Sequence, residues 1–181
     1  MNTKNITTVW FIDDHAHLRQ EIKQCFDIKQ ESAIYTNDKS QEFKISVINP
    51  GIDGREAIDL VHKTGHDNGY LVPDLILLDL RYPIDKQNNE LNILELHGIK
   101  VMEEILKNEY MKNSCVVIFS EYFIDAPTKT IIIQKSKLKE RETRFIEKQK
   151  IQYDSKSLSD VNIKKNCQSI KHFINQFVAV E

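Results

Sequence analysis

The chain has 181 residues, 40% of them hydrophobic and 29% charged, with a formal net charge of −2. That length suits one domain with a substantial core, and the near-neutral charge gives no general attraction to nucleic acid or to a membrane surface. The start, "MNTKNITTVWFIDD", has no basic stretch leading into a long apolar one, and no apolar run reaches membrane-span length, so a soluble cytoplasmic protein is expected.

In chain order, "TVWFI" is the first strand, and it stops at two adjacent carboxylates, Asp13 and Asp14. Leu18, Ile22, Cys25 and Phe26 follow at helical spacing. The polar connection "DIKQESAIYTNDKSQE" reads as a surface insertion near 28–42. "FKISVI" is the second strand, and Ala57, Ile58 and Val61 mark the second helix. A further insertion is expected near 63–73. "DLILLD" is the third strand, apolar without alternation and therefore central, and it ends at Asp79. A long connection rich in Asn, Asp and Gln gives an insertion near 84–97, before Val101, Met102, Ile105 and Leu106 start a third helix. "CVVIFS" ends at Ser120, "APTKTIIIQKSKLKERE" is read as a helix, and "TRFIEK" is a fifth, weaker strand ending at Lys148. Ser159 or Asp160 can cap a last helix carrying Val161, Cys167, Ile170, Phe173, Ile174 and Phe177 on one side. Cys25, Cys115 and Cys167 are odd in number and far apart, which fits neither a disulfide framework nor a zinc-ligand spacing.

Strands alternating with helices predict a single α/β domain over 1–181, with a parallel sheet covered on both faces. In such sheets ligands bind at the carboxyl ends of the strands. Four strand ends then deliver three acids, a hydroxyl and an amine to one edge: Asp13 and Asp14, Asp79, Ser120 and Lys148. Clustered carboxylates repel and raise one another's pKa unless a cation neutralises them. With oxygen donors and no convergent His or Cys, a hard ion such as Mg²⁺ is the expected cofactor. His15 and His17 flank the acidic pair and are read as solvated residues at a helix start, with no ligand role.

Six pieces in the right order resemble the receiver domains of two-component response regulators: "FIDDH", "DGREAIDLV", "DLILLDLRYP", "GIKVMEEI", "VVIFSE" and "RFIEKQ". The resemblance covers nearly the whole chain and implies a flavodoxin-like doubly wound sheet of five parallel strands in the order 2-1-3-4-5. It also implies that Asp79 accepts a phosphoryl group from a sensor histidine kinase or a phosphotransfer protein. Asp13, Asp14, Asp79 and the backbone carbonyl of Arg81 would hold Mg²⁺, while Ser120, the backbone N–H of Glu121 and Lys148 would bind the phosphoryl oxygens. Ser120 and Phe145 would form a switch whose movement changes the partner preference of a nearby surface.

Where the family usually has a proline after the lysine, this chain has Gln149, and Lys135 competes with Lys148 for the site if "TIIIQ" is the fifth strand. Lys148 is preferred because it leaves room for a helix after Ser120. The basic segment from Lys129 to Lys150 is read as a solvated face, so no nucleic-acid partner is expected. An exposed part of the last helix is a candidate dimer surface. The resemblance gives a phosphorylation-controlled signalling module that acts through protein–protein contacts without a DNA-binding output domain, and not a conventional turnover enzyme. Two alternatives stay open: a pseudo-receiver that binds partners without phosphorylation, and a Mg²⁺-dependent phosphohydrolase of the haloacid dehalogenase type. The second expects D-x-D at the first strand end, where this chain has Asp13, Asp14 and His15.

Overall fold

The computed structural model describes residues 6–51, 53–65, 71–80, 97–120, 130, 144–149 and 161–176. Its strands are β1 (Thr7–Ile12), β2 (Ser32–Thr36), β3 (Glu42–Ile48), β4 (Leu75–Leu78), β5 (Cys115–Ser120) and β6 (Arg144–Glu147). They form one sheet in the order β2-β3-β1-β4-β5-β6. Every neighbouring pair is parallel except β2 with β3. The five parallel strands therefore run in the expected order, 2-1-3-4-5, with the apolar run 75–78 between β1 and β5.

The sheet has six strands where five were expected, and the extra one, β2, lies within the stretch 28–42 expected as a surface insertion. β2 pairs with β3 over its whole length, Ser32 opposite Ser46 through Thr36 opposite Glu42. One of its anchors, Asn175, is distant in sequence, and its own residues are at most half-buried, which is why spacing alone misses it. The Tyr35 hydroxyl donates to Asn175 Oδ1 at 2.6 Å, and the Tyr35 ring meets Phe26 edge-on with centroids 5.0 Å apart. Asn37 shapes the turn to β3 by accepting the backbone N–H groups of Lys39 and Gln41 at 3.0 and 2.9 Å.

Helices α1 (Ala16–Cys25), α2 (Arg55–Lys63), α3 (His97–Lys107) and α4 (Val161–Gln176) cover the sheet. Alternate strand residues point to opposite faces, and that period divides the core in two. Val9, Phe11, Leu75, Leu77, Val117 and Phe119 pack with α1 and α4. Trp10, Ile12, Ile76, Leu78, Val116 and Ile118 pack with α2 and α3. On α4 the buried residues are Ile163, Asn166, Cys167, Ile170 and Ile174, whereas Val161 is exposed and Phe173 half-buried. This rotates the buried stripe from the one expected. Ser159, Asp160, Phe177, the expected helix over 126–142 apart from Thr130, which is helical, and most of the insertions near 63–73 and 84–97 lie outside the described residues.

Candidate functional site

The carboxyl ends of β1, β4, β5 and β6 converge on one cluster. Each parallel strand stops at about the same level, so the residue after each apolar run enters the same crevice. The backbone keeps this register past the strand ends: Asp79 N–H donates to the Ile12 carbonyl at 2.9 Å, and Lys148 N–H donates to the Ser120 carbonyl at 3.1 Å. Asp13, Asp79, Ser120 and Lys148 are all buried, and Asp14 is half-buried.

The Lys148 ammonium binds two of the acids at once, donating to Asp13 Oδ2 at 2.9 Å and to Asp79 Oδ2 at 3.0 Å. The remaining oxygens are fixed by backbone. Asp13 Oδ1 accepts the His15 N–H at 2.8 Å, and Asp79 Oδ1 accepts the Leu80 N–H at 2.9 Å. The Ser120 hydroxyl also bonds the Asp79 carboxylate. Asp14 differs, because its Oδ1 is buried with no hydrogen-bond partner. Each of Asp13, Asp14 and Asp79 offers an oxygen to one point, and these oxygens lie within 4.8 Å of one another.

The charges do not balance within the cluster. Burial, followed by the charges of Asp13 and Asp79, pushes the Asp14 carboxyl up to about 8. Burial likewise raises the Asp79 carboxyl, against the opposing pull of Lys148. Burial alone would lower the Lys148 ammonium, but Asp13 and Asp79 outweigh it and hold the group above the ordinary lysine range. The Lys148 ammonium, with the Arg19 guanidinium acting on Asp13 and Asp14, thus faces three carboxyls, and one buried Asp14 oxygen has no hydrogen-bond partner. That donor set fits a hard divalent cation.

Several residues that hold the site were not read from the sequence. His15 is buried rather than solvated, and its Nδ1 caps α1 by accepting the Leu18 N–H at 3.3 Å. Arg19, one turn into α1, donates from Nη1 to the Asp13 carbonyl at 2.7 Å. Gly98 lies against the loop after β4, and its N–H donates to the Leu80 carbonyl at 2.9 Å. A Cβ there would overlap the Asp79 carbonyl oxygen and the Leu80 Cα, so only glycine lets α3 come this close. The signal for Gly98 was visible as a glycine at the start of a helix. Among the expected site residues, Arg81 and Glu121 lie outside the described residues, as does Lys135. Phe145 is on β6, half-buried against the α2 and α3 side of the core.

Solved structures of similar shape share this architecture. The Mn²⁺-bound form of the response regulator Rcp1 superposes with a TM-score of 0.57 at 19% identity, covering 97% of this chain and 99% of that one. The response regulator domain of Thermotoga maritima CheB gives 0.53 at 19% identity, with 98% and 99% covered. Vibrio cholerae chemotaxis protein CheY4 gives 0.54 at 13% identity, with 96% and 100% covered. The chain has the receiver-domain fold. No protein-family model matches it, and no curated protein does either. At these identities the likeness extends to the architecture alone, and in this chain the five parallel strands are joined by a sixth, β2, antiparallel at one edge of the sheet. Among the described residues no helix of this receiver fold is long and apolar enough to cross a membrane.

Proposed function

We propose that the chain is a signalling receiver that takes a phosphoryl group onto Asp79 from a histidine kinase or a phosphotransfer protein. The observation that carries this reading is the arrangement around Asp79. A buried carboxylate at the end of β4 has one oxygen held by the Leu80 N–H, the other beside a buried ammonium, and a hydroxyl from the neighbouring strand in contact. A carboxylate needs no deprotonation to attack phosphorus. An Asp79 oxygen forms the new O–P bond as the bond from phosphorus to the donor breaks, leaving an acyl phosphate.

The charge on the transferring group is the main obstacle, and electrostatics in a dry site is the means of meeting it. Lys148 can turn from Asp79 to a phosphoryl oxygen without leaving Asp13, because one ammonium has three donors. Ser120 donates to a second phosphoryl oxygen, and the Glu121 N–H is assigned the same role by resemblance. A divalent cation, Mg²⁺ by its abundance and hardness, would neutralise phosphoryl charge when bound, with Asp13, Asp14, Asp79 and the Arg81 carbonyl as its protein ligands. The Mn²⁺-bound Rcp1 structure is a precedent for a divalent ion in this fold.

Phosphorylation is read out through Ser120 and Phe145. Ser120 ends β5 opposite Glu147 of β6, and Phe145 pairs with Ile118 in the same ladder, so a pull on the hydroxyl is transmitted to the ring. The output is a change in protein–protein contact and not turnover of a substrate.

Intact-protein mass spectrometry after incubation with acetyl phosphate and Mg²⁺ tests the reading. A single phosphoryl adduct that requires Mg²⁺ and is absent from Asp79→Asn supports it. No adduct on folded protein with active donor favours the pseudo-receiver, and multiple turnover of a generic phosphomonoester favours the phosphohydrolase.

A further inference from the structure

We propose that Asn166, on α4, is a positioning residue that fixes Lys148 in the site by clamping the backbone of Gln149. Its chemical consequence rests on the receiver reading above, while its geometry stands without it. Asn166 is fully buried in the stripe formed by Ile163, Cys167 and Ile170. A side-chain amide at such a position is costly unless its donor and acceptor are both matched. One residue matches both. The Gln149 N–H donates to Asn166 Oδ1 at 2.6 Å, and Asn166 Nδ2 donates to the Gln149 carbonyl at 2.9 Å.

Gln149 itself has an exposed side chain, so what Asn166 grips is the main chain. The place matters because the β5–β6 ladder ends at Glu147 opposite Ser120, and the Lys148 N–H to Ser120 bond is the last one the sheet provides. Beyond it, Asn166 takes over. Lys148 is thereby pinned on both sides of its Cα, by the sheet before it and by α4 after it. A lysine side chain has many rotamers, and fixing its root leaves fewer ways to miss the two carboxylates at 2.9 and 3.0 Å.

Releasing the clamp therefore has two opposite effects. The ammonium is no longer held where a phosphoryl oxygen must be met, so transfer slows. It also stops competing with a cation for Asp13 and Asp79, so a divalent ion binds more tightly. A simple loss of structure would weaken both.

The test compares wild type, Asn166→Ala, Lys148→Ala and the double variant, with folding monitored by circular dichroism. Mn²⁺ alone is titrated by the loss of its free-ion paramagnetic resonance signal, and adduct formation with acetyl phosphate and Mg²⁺ is timed by mass spectrometry. With Lys148 present, Asn166→Ala should tighten Mn²⁺ binding several-fold and slow the adduct about tenfold, as for a reacting group displaced by a fraction of an ångström. In the Lys148→Ala background it should change neither, since the effect runs through that lysine. Mn²⁺ binding that is weakened or unchanged by Asn166→Ala, or shifted equally in both backgrounds, overturns the proposal. If the alanine variant does not fold, Asn166→Leu fills the volume without polar atoms and takes its place. A wild type that forms no adduct refutes the receiver reading, and the Mn²⁺ titrations still decide the clamp.

Discussion

Replacing Lys148 by Met keeps the length and apolar stem of the side chain and removes only the ammonium. The structure gives the magnitude. Lys148 lies 2.9 Å from Asp13 Oδ2 and 3.0 Å from Asp79 Oδ2, with the three side chains 3%, 0% and 2% exposed, so solvent screens the contacts little. At an effective dielectric near 20 each contact is worth about 5–6 kcal/mol. Burying the ammonium takes back several kcal/mol, and breaking a buried pair by removing one partner costs about 3–5 kcal/mol. For a domain of this size, with about 2–4 °C of Tm per kcal/mol, the melting temperature falls by about 6–20 °C. The assay is thermal and urea unfolding near neutral pH with a chelator present. The loss should shrink on acidification, because the stranded carboxyls can then take up protons, and on addition of Mg²⁺, which replaces the missing positive charge. A loss below about 1 kcal/mol, or one indifferent to both pH and Mg²⁺, would refute the reasoning.

Other consequences follow from the same cluster. Because burial, Asp13 and Asp79 push the folded-state Asp14 carboxyl up to about 8, the metal-free protein should lose stability as pH climbs from about 4 toward about 8. The folded state keeps a proton there that the unfolded chain has released. Asp14→Asn should flatten that slope in thermal melts and weaken Mg²⁺ binding in a metal titration, while Mg²⁺ affinity of the wild type rises across the same window as the proton leaves. Gly98→Ala forces apart α3 and the loop after Asp79, and should cost about 1–3 kcal/mol in urea unfolding, the range for overpacking, and slow adduct formation. Tyr35→Phe removes the 2.6 Å bond to Asn175, and should cost about 1 kcal/mol without changing the rate of adduct formation, since β2 is at the sheet edge away from the crevice.

Much of this architecture was legible because parallel strands carry their pattern in composition. "VWFI", "LILL" and "CVVIF" are apolar throughout, and each stops at the polar residue that the structure brings into the crevice. That abrupt change from apolar to polar is what made Asp13, Asp79 and Ser120 stand out. β2 was hidden because "SAIYT" lies in a polar stretch and, at the sheet edge, is at most half-buried, so its composition carries little strand signal; its pairing with β3 is a local hairpin, but the Tyr35 bond to Asn175 joins distant segments that no local pattern encodes. Asn166 was hidden for a related reason. A polar residue within an apolar helical face looks like an interruption of the stripe, and its value emerges only when the partner, Gln149, is in place. His15 was misread because a histidine at a helix start resembles a solvated residue, whereas here its ring is turned inward as a cap.

The central claim is that one aspartate, at the end of β4, is the phosphoryl acceptor. Reductive trapping tests it most directly: the protein is treated with acetyl phosphate and Mg²⁺, reduced with borohydride to convert any acyl phosphate to an alcohol, then digested and sequenced by mass spectrometry. The account predicts a single converted residue, Asp79, with Asp13 and Asp14 untouched. Conversion of Asp13 or Asp14, or no converted aspartate in protein that remains folded, would contradict it.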